Sequence, residues 1–254
     1  HFKQGYIIMK KIFISSLLSS SLLFGALSDA EILQVFEGGD EELKYTIDSR
    51  KNLPNTNFEE IKIKMSDGEN SAYIALYSDG AYIFPDVIDI KNKISYLANF
   101  ENAQAKIAIE NATKKLGELI KSMPKDSIIS IGNDKNKETK YLFTDPDCPY
   151  CRQDLELIEA KLKSTNLKII LAPVSNHGIP AIKKSIAILN EAKSAKNDTA
   201  KIKILRKYFA PNAKEPKMIS QEEIDKFKAQ VDKIFTTGAV RGVPMLIDAK
   251  TLGL

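Results

Sequence analysis

Thr144-Asp145-Pro146-Asp147-Cys148-Pro149-Tyr150-Cys151, TDPDCPYC, holds both cysteines of the 254-residue chain. Directly ahead of it runs the apolar segment Tyr141, Leu142, Phe143. Asp-Pro-Asp makes a turn, and Pro149 suits the first position of a helix, where its missing N–H would have had no partner in any case. The spacing predicts a strand that hands over to a helix with Cys148 at the helix N-terminus. Free N–H groups and the positive end of the helix dipole favour a thiolate there. Cys148 is therefore read as a nucleophile for thiol exchange, and Cys151, one turn further in, as the thiol that resolves a mixed disulfide. Two plainer readings stand beside this one, a static bridge and half of a zinc site. A bridge across two residues removes little unfolded-chain entropy. Zinc takes about four ligands, and beyond the cysteines the chain offers only His177 and His1. No cofactor and no metal are expected.

Outward from the motif, Leu155, Ile158 and Leu162 mark one face of the following helix, and Leu167 to Leu171 is a run of strand length, apolar but for Lys168. A fully buried strand parallel to its predecessor fits that run, giving a right-handed βαβ unit. His177 sits in the next loop and is expected to be an exposed loop histidine, with tuning of the Cys148 thiolate as the alternative. Asp145 and Asp147 are expected to cap the motif helix rather than to act electrostatically on Cys148. Pro180 to about Phe209 is helical with a break around Asn197 and Asp198. Ser220 with Glu223 forms a capping box for a further helix that buries Ile224, Phe227, Val231, Ile234 and Phe235. After Gly238, Gly242-Val243-Pro244-Met245-Leu246-Ile247 reads as a strand entered through a proline, a place suited to a cis bond.

Upstream, Ser127 to Ile131 is read as a short strand and Gly132 to Glu138 as a charged turn. Residues 91 to 123 lack proline and alternation and predict a linker helix, ended by Pro124 and with Gly117 as its weak point. From Phe58 apolar and charged residues alternate: Ile61, Ile63 and Met65 against Glu60, Lys62 and Lys64. Asp67-Gly68 and Asp79-Gly80 then punctuate a small antiparallel meander. Its tyrosines 73, 77 and 82 give it an apolar surplus, which leaves two readings open: pairing with a second copy, or packing within the same chain.

The segment MKKIFISSLLSSSLLFGALSDA, from Met9 with Lys10 and Lys11, reads as a secretory leader cleaved near Ser28 or Ala30. Its apolar run is short and diluted by serines, against a membrane anchor. His1 to Ile8 read as sequence upstream of the initiator. The formal charge of +4 owes three lysines to residues 1–28, which hold no acidic residue, so it falls to +1 without them. No polybasic face argues for nucleic acid.

Together the leader, the meander with YSDGAYIFPDVIDI, the linker helix, FTDPDCPYC and the late x-Pro strand resemble the periplasmic disulfide isomerases of the DsbC/DsbG family, over about residues 58 to 247. The resemblance implies an α+β protein: a thioredoxin-like catalytic domain with a helical insertion, preceded by a small antiparallel, cystatin-like dimerisation domain and a linker helix. The expected layout is 1–30 upstream residues and leader, 31–90 dimerisation domain, 91–123 linker helix, 124–254 catalytic domain. The family also implies a further strand and helix, so the C-terminal end reads as truncated. It further implies a homodimer in the periplasm that accepts unfolded or misdisulfided exported proteins and is kept reduced by a membrane thiol reductase of the DsbD type. Pro149, Tyr150, Val243 and a cis Pro244 would contact substrate. Val243 stands where the isomerases usually carry threonine, as in the oxidase DsbA. A dithiol oxidase, or a chaperone or binding module with an incidental dithiol, are the alternatives.

Overall fold

The computed structural model describes residues 27–36 and 42–254, which fall into two compact units, His1–Lys106 and Ile107–Leu254. The leader read from Met9 lies, up to Ala26, outside the described residues. No helix of the described residues is long and apolar enough to cross a membrane.

In the first unit a short helix, α1 (Asp29–Leu33), opens on a capping box in which Ser28 and Glu31 satisfy each other's N–H groups. Four strands follow: β1 (Lys44–Asn52), β2 (Glu59–Ser66), β3 (Ser71–Ser78) and β4 (Ile83–Phe84), in the sheet order β1-β2-β3-β4. Both Asp-Gly sites are the turns. At Asp67 the carboxylate accepts the N–H groups of Glu69 and Asn70, and at Asp79 those of Ala81 and Tyr82, while Gly68 and Gly80 both take φ 94°. The strand β1 escapes the alternation rule. Its only apolar residues are Tyr45 and Ile47; after them its pairing with β2 shifts register, between Ile47 and Ser49, and the remaining residues are polar.

This sheet buries both faces. Ile61, Ile63, Ile74 and Leu76 pack with Ile32 of α1, whereas Ala75, Tyr77 and Phe84 pack with Tyr96, Leu97 and Phe100. Tyr77 is fully buried and Tyr73 packs beside it, so those two tyrosines are used within the chain; Tyr82 stays exposed. The ribbon β5 (Ile88–Asp89) and β6 (Ile94–Ser95) precedes the long helix α2 (Tyr96–Ser122). That helix starts five residues later than its composition suggested, because Ile88 and Asp89 pair with Ser95 and Ile94 and because Asp86 and Ser95 cap it. The Asp86 carboxylate accepts the Leu97 N–H at 2.9 Å and the Ser95 hydroxyl at 2.8 Å, and the Ser95 oxygen accepts the Ala98 N–H at 3.0 Å.

The second unit is built on a four-stranded sheet of order β10-β8-β9-β7, from β7 (Ile129–Ile131), β8 (Glu138–Thr144), β9 (Thr165–Leu171) and β10 (Met245–Asp248). The two inner strands β8 and β9 are parallel, with Thr144 opposite Leu171; β7 and β10 run antiparallel to them. Between β8 and β9 lie α3 (Pro149–Glu156) and α4 (Ile158–Leu162), one helical path broken at the exposed Leu157. Between β9 and β10 come α5 (Gly178–Ala192), α6 (Asp198–Phe209) and α7 (Gln221–Thr236). Asn197 caps α6, which is the break expected there, and Ser220 with Glu223 forms the capping box of α7. On one face of the sheet Leu142, Leu167, Ile169 and Leu171 pack against α3, α5, α6 and α7. On the other, Tyr141, Phe143 and Ile170 meet Leu116, Ile120 and Met123 of α2 together with Leu252. Burial from both sides explains why Tyr141–Phe143 in β8 and Ile169–Leu171 in β9 are consecutive apolar residues.

Gly117 is not a weak point of α2. A Cβ there would stand 1.9 Å from the Leu252 carbonyl oxygen, so the glycine admits a close approach of two backbones.

Candidate active site

The chain leaves β8 at Thr144 and closes a turn in which the Cys148 N–H donates to the Asp145 carbonyl at 3.2 Å. Cys148 is the N-cap of α3 in extended conformation, and Pro149 is the first helical residue. Both thiols are free. Both are buried, Cys148 as a residue at 6 % exposure and Cys151 at 0 %. Tyr150, between them, projects into solvent.

The peptide bond Val243-Pro244 is cis, as the x-Pro strand suggested. The Cys148 thiol donates to the Val243 carbonyl oxygen, 3.7 Å away. Three of the residues singled out from sequence, Cys148, Cys151 and Val243, thus meet in one cluster with Leu142, Leu155 and Leu171. A cleft of about 480 Å³ is lined by Val174, Ile179, Ile182, Val231, Phe235 and Arg241 among others, and by neither cysteine.

Burial pushes the Cys151 thiol up to about 12, the Thr144 hydroxyl and the Asp145 N–H pulling partly back and the neighbouring Cys148 adding to the rise. An acid raised in this way holds its proton in the fold after the unfolded chain has released it. Between the ordinary thiol range near 9 and about 12 the unfolded chain therefore binds fewer protons, and stability falls as pH rises. In urea unfolding of the dithiol form between pH 8 and 10.5, the wild-type chain is expected to lose more stability than Cys151→Ala, by up to about 1.4 kcal/mol per pH unit above 9. Parallel pH curves would contradict the assignment.

Two expectations are corrected here. His177 is not a free loop residue: its Nδ1 lies 2.6 Å from Asp145 Oδ2, and the Asp145 side chain is at 0 % exposure. Nor do the two aspartates cap α3: Cys148 is the N-cap, and the bonds of both carboxylates go elsewhere. The Asp145 carboxylate instead accepts the Asp147 N–H at 2.8 Å and the Val174 N–H at 2.9 Å, and Asp147 pairs with the buried Lys184 at 2.6 Å. The reason is the parallel register. With Thr144 opposite Leu171, the loops after β8 and β9 leave the sheet side by side, so Asp145 faces the loop carrying Val174 and His177. Two acidic residues before the dithiol and a histidine after the next parallel strand were the available signal; nothing local marked Lys184 or Thr144. Among the described residues no group of three or more His, Cys, Asp or Glu side chains could hold a metal ion.

No family model matches the sequence, and no curated protein matches it. Solved structures do. The structure of Helicobacter pylori DsbG is similar over 87 % of this chain and 98 % of its own, at 21 % identity and a TM-score of 0.50. A linker-deletion variant of Proteus mirabilis ScsC matches over 60 % of this chain and 79 % of its own, with 18 % identity and a TM-score of 0.42. The thiol-disulfide exchange protein α-DsbA2 of Wolbachia pipientis matches over 55 % and 86 %, with 16 % identity and a TM-score of 0.39. These last two likenesses are too slight to decide anything. In its fold the chain resembles that first structure: a thioredoxin-like domain carries the dithiol, with an N-terminal domain ahead of it.

Proposed function

We propose that the chain is a periplasmic thiol-disulfide oxidoreductase, acting as a disulfide isomerase or reductase on unfolded or misdisulfided exported proteins. The observation that carries this reading is the Cys148 sulfur at the N-cap of α3, 3.7 Å from the Val243 carbonyl, with a second buried thiol in the next turn. A thiolate at that place faces the free N–H groups of the first helical turn. Loss of the Cys148 proton also removes the donor that engages the Val243 carbonyl, freeing that oxygen to accept an N–H from a substrate backbone. Pro149, Tyr150, Val243 and Pro244 are the proposed contacts to substrate.

In the reaction the Cys148 thiolate attacks one sulfur of a substrate disulfide. A new S–S bond forms, the old one breaks, and the other substrate sulfur leaves as a thiolate. In isomerisation a substrate thiolate attacks the mixed disulfide in a new place and releases Cys148, with no net transfer of electrons. In reduction Cys151 instead attacks the Cys148 sulfur, breaking its bond to the substrate sulfur, which leaves and takes up the proton that Cys151 gives up. A Cys148–Cys151 disulfide forms and two electrons pass to the substrate. A membrane thiol reductase of the DsbD type would return them. Export rests on the leader read from Met9. A homodimer through the first unit is supported by the exposed Tyr82, Ile88 and Ile90.

Refolding of scrambled ribonuclease in a glutathione buffer tests the reading: active enzyme is expected to return several-fold faster with the chain than without it. Reshuffling no faster than buffer would remove the isomerase assignment. Val243 favours one competing reading, that of an oxidase. Trapping free thiols in intact cells separates the two, since mostly reduced cysteines support an isomerase or reductase and mostly disulfide an oxidase. A chain that suppresses aggregation but exchanges no thiols would be a binding module.

A further inference from the structure

We propose that Asp145 and His177 act as a pair of positioning residues for the Cys148 thiol, a role that rests on the exchange chemistry proposed above. A carboxylate withdrawn from water must find hydrogen-bond donors or a counter-charge. Asp145, at 0 % side-chain exposure, has three donors: the Asp147 N–H on Oδ1, and the Val174 N–H and His177 Nδ1 on Oδ2. A carboxylate can only accept, so His177 Nδ1 carries the hydrogen. The Asp145 carbonyl meanwhile accepts the Cys148 N–H.

The turn from Asp145 to Cys148 is thus tied within itself by two bonds and to the loop after β9 by two more. On its other flank the Lys184 ammonium holds Asp147 from α5, the helix that begins directly after His177. A side-chain cap would ordinarily anchor the start of a helix such as α3, but none is made at Cys148. The place of the sulfur relative to the Val243 carbonyl is therefore set from the segment Val174–Lys184. Among the described residues His177 is the only side-chain donor on the buried carboxylate, so its bond can be removed without touching the backbone of the turn.

The test uses the full chain and two readings of the same thiol. Alkylation of Cys148 by iodoacetamide is followed by mass spectrometry, and its reaction with oxidised glutathione is followed in parallel. Three substitutions are compared: His177→Asn, whose amide nitrogen falls where Nδ1 stands; His177→Gln, whose nitrogen falls where Nε2 stands; and His177→Leu, which has no donor. Cys148 is expected to react about tenfold more slowly in the Gln and Leu proteins and within about twofold of wild type in the Asn protein, since misplacing a reacting atom by a fraction of an ångström costs on that order. Equal rates in all four proteins, or an Asn protein as slow as the Gln protein, would overturn the proposal. Where His177→Leu does not fold, the contrast between Asn and Gln decides alone. A wild-type chain that is alkylated at Cys148 but exchanges with no disulfide would end the functional reading, while the alkylation contrast still decides whether the pair positions the thiol.

Discussion

Cys148→Ser is expected to reduce insulin no faster than buffer alone, while its unfolding midpoint stays close to that of the wild-type chain. A serine hydroxyl is not ionised near neutral pH and cannot form a bond to sulfur that a later thiolate would reopen, so the first step of exchange is lost outright. The fold should tolerate the change: Cys148 lies at a loop-to-helix junction, where serine is itself a favoured N-cap. Cys151→Ser is the informative partner. It keeps the first step and removes the second, so it is expected to accumulate mixed disulfides with exported proteins, visible as bands that collapse on adding a reductant. Insulin reduction by Cys148→Ser at even a tenth of the wild-type rate would place the chemistry elsewhere in the chain. Mixed disulfides absent from Cys151→Ser but present in the wild-type chain would reverse the roles of the two thiols.

Gly117→Ala is expected to destabilise the second unit by about 3 kcal/mol, against the usual direction for that exchange. In a helix interior alanine is ordinarily favoured over glycine by about 1 kcal/mol, from backbone entropy alone. Here the new Cβ would lie 1.9 Å from the Leu252 carbonyl oxygen, a backbone atom that cannot swing aside as a flexible side chain would. Either α2 or the segment after β10 must shift, and both are packed into one core through Leu116, Ile120 and Leu252. Overpacking of this kind costs about 1–3 kcal/mol, sometimes more, and outweighs the propensity gain. Urea unfolding of the dithiol form provides the measurement. A Gly117→Ala protein at least as stable as wild type would mean that the two backbones separate at little cost.

The pieces of this chain that sequence reading located are those whose causes lie within a few residues. Cys148 heads a helix because a strand, a turn and Pro149 adjoin it. Asp67-Gly68 and Asp79-Gly80 turn because a side-chain carboxylate can accept the N–H groups two and three positions on. The capping box of Ser220 and Glu223 spans a single turn. Even the parallel pairing of β8 and β9 follows from an apolar strand, a helix and another apolar strand in succession. The strand β1 was hidden because it carries only two apolar residues, Tyr45 and Ile47, too few to show a period, and the late start of the linker helix by a two-residue ribbon equally short.

What tertiary structure alone decided are contacts between residues far apart in the chain. Asp145 meets His177 across 32 positions and Cys148 meets the Val243 carbonyl across 95. Sequence had made Asp145 a cap and His177 an exposed loop residue, the commonest fates of those residue types in those places. Packing overruled both, because register brought the two loops together and a carboxylate sealed from water must take whatever donors are within reach. The same holds for Gly117, whose helix propensity pointed to weakness until Leu252 came to lie against it. Local sequence by itself determined that there is a dithiol at the head of a helix in a strand-helix-strand setting; the geometry that holds that dithiol was decided by how the sheet aligned its strands.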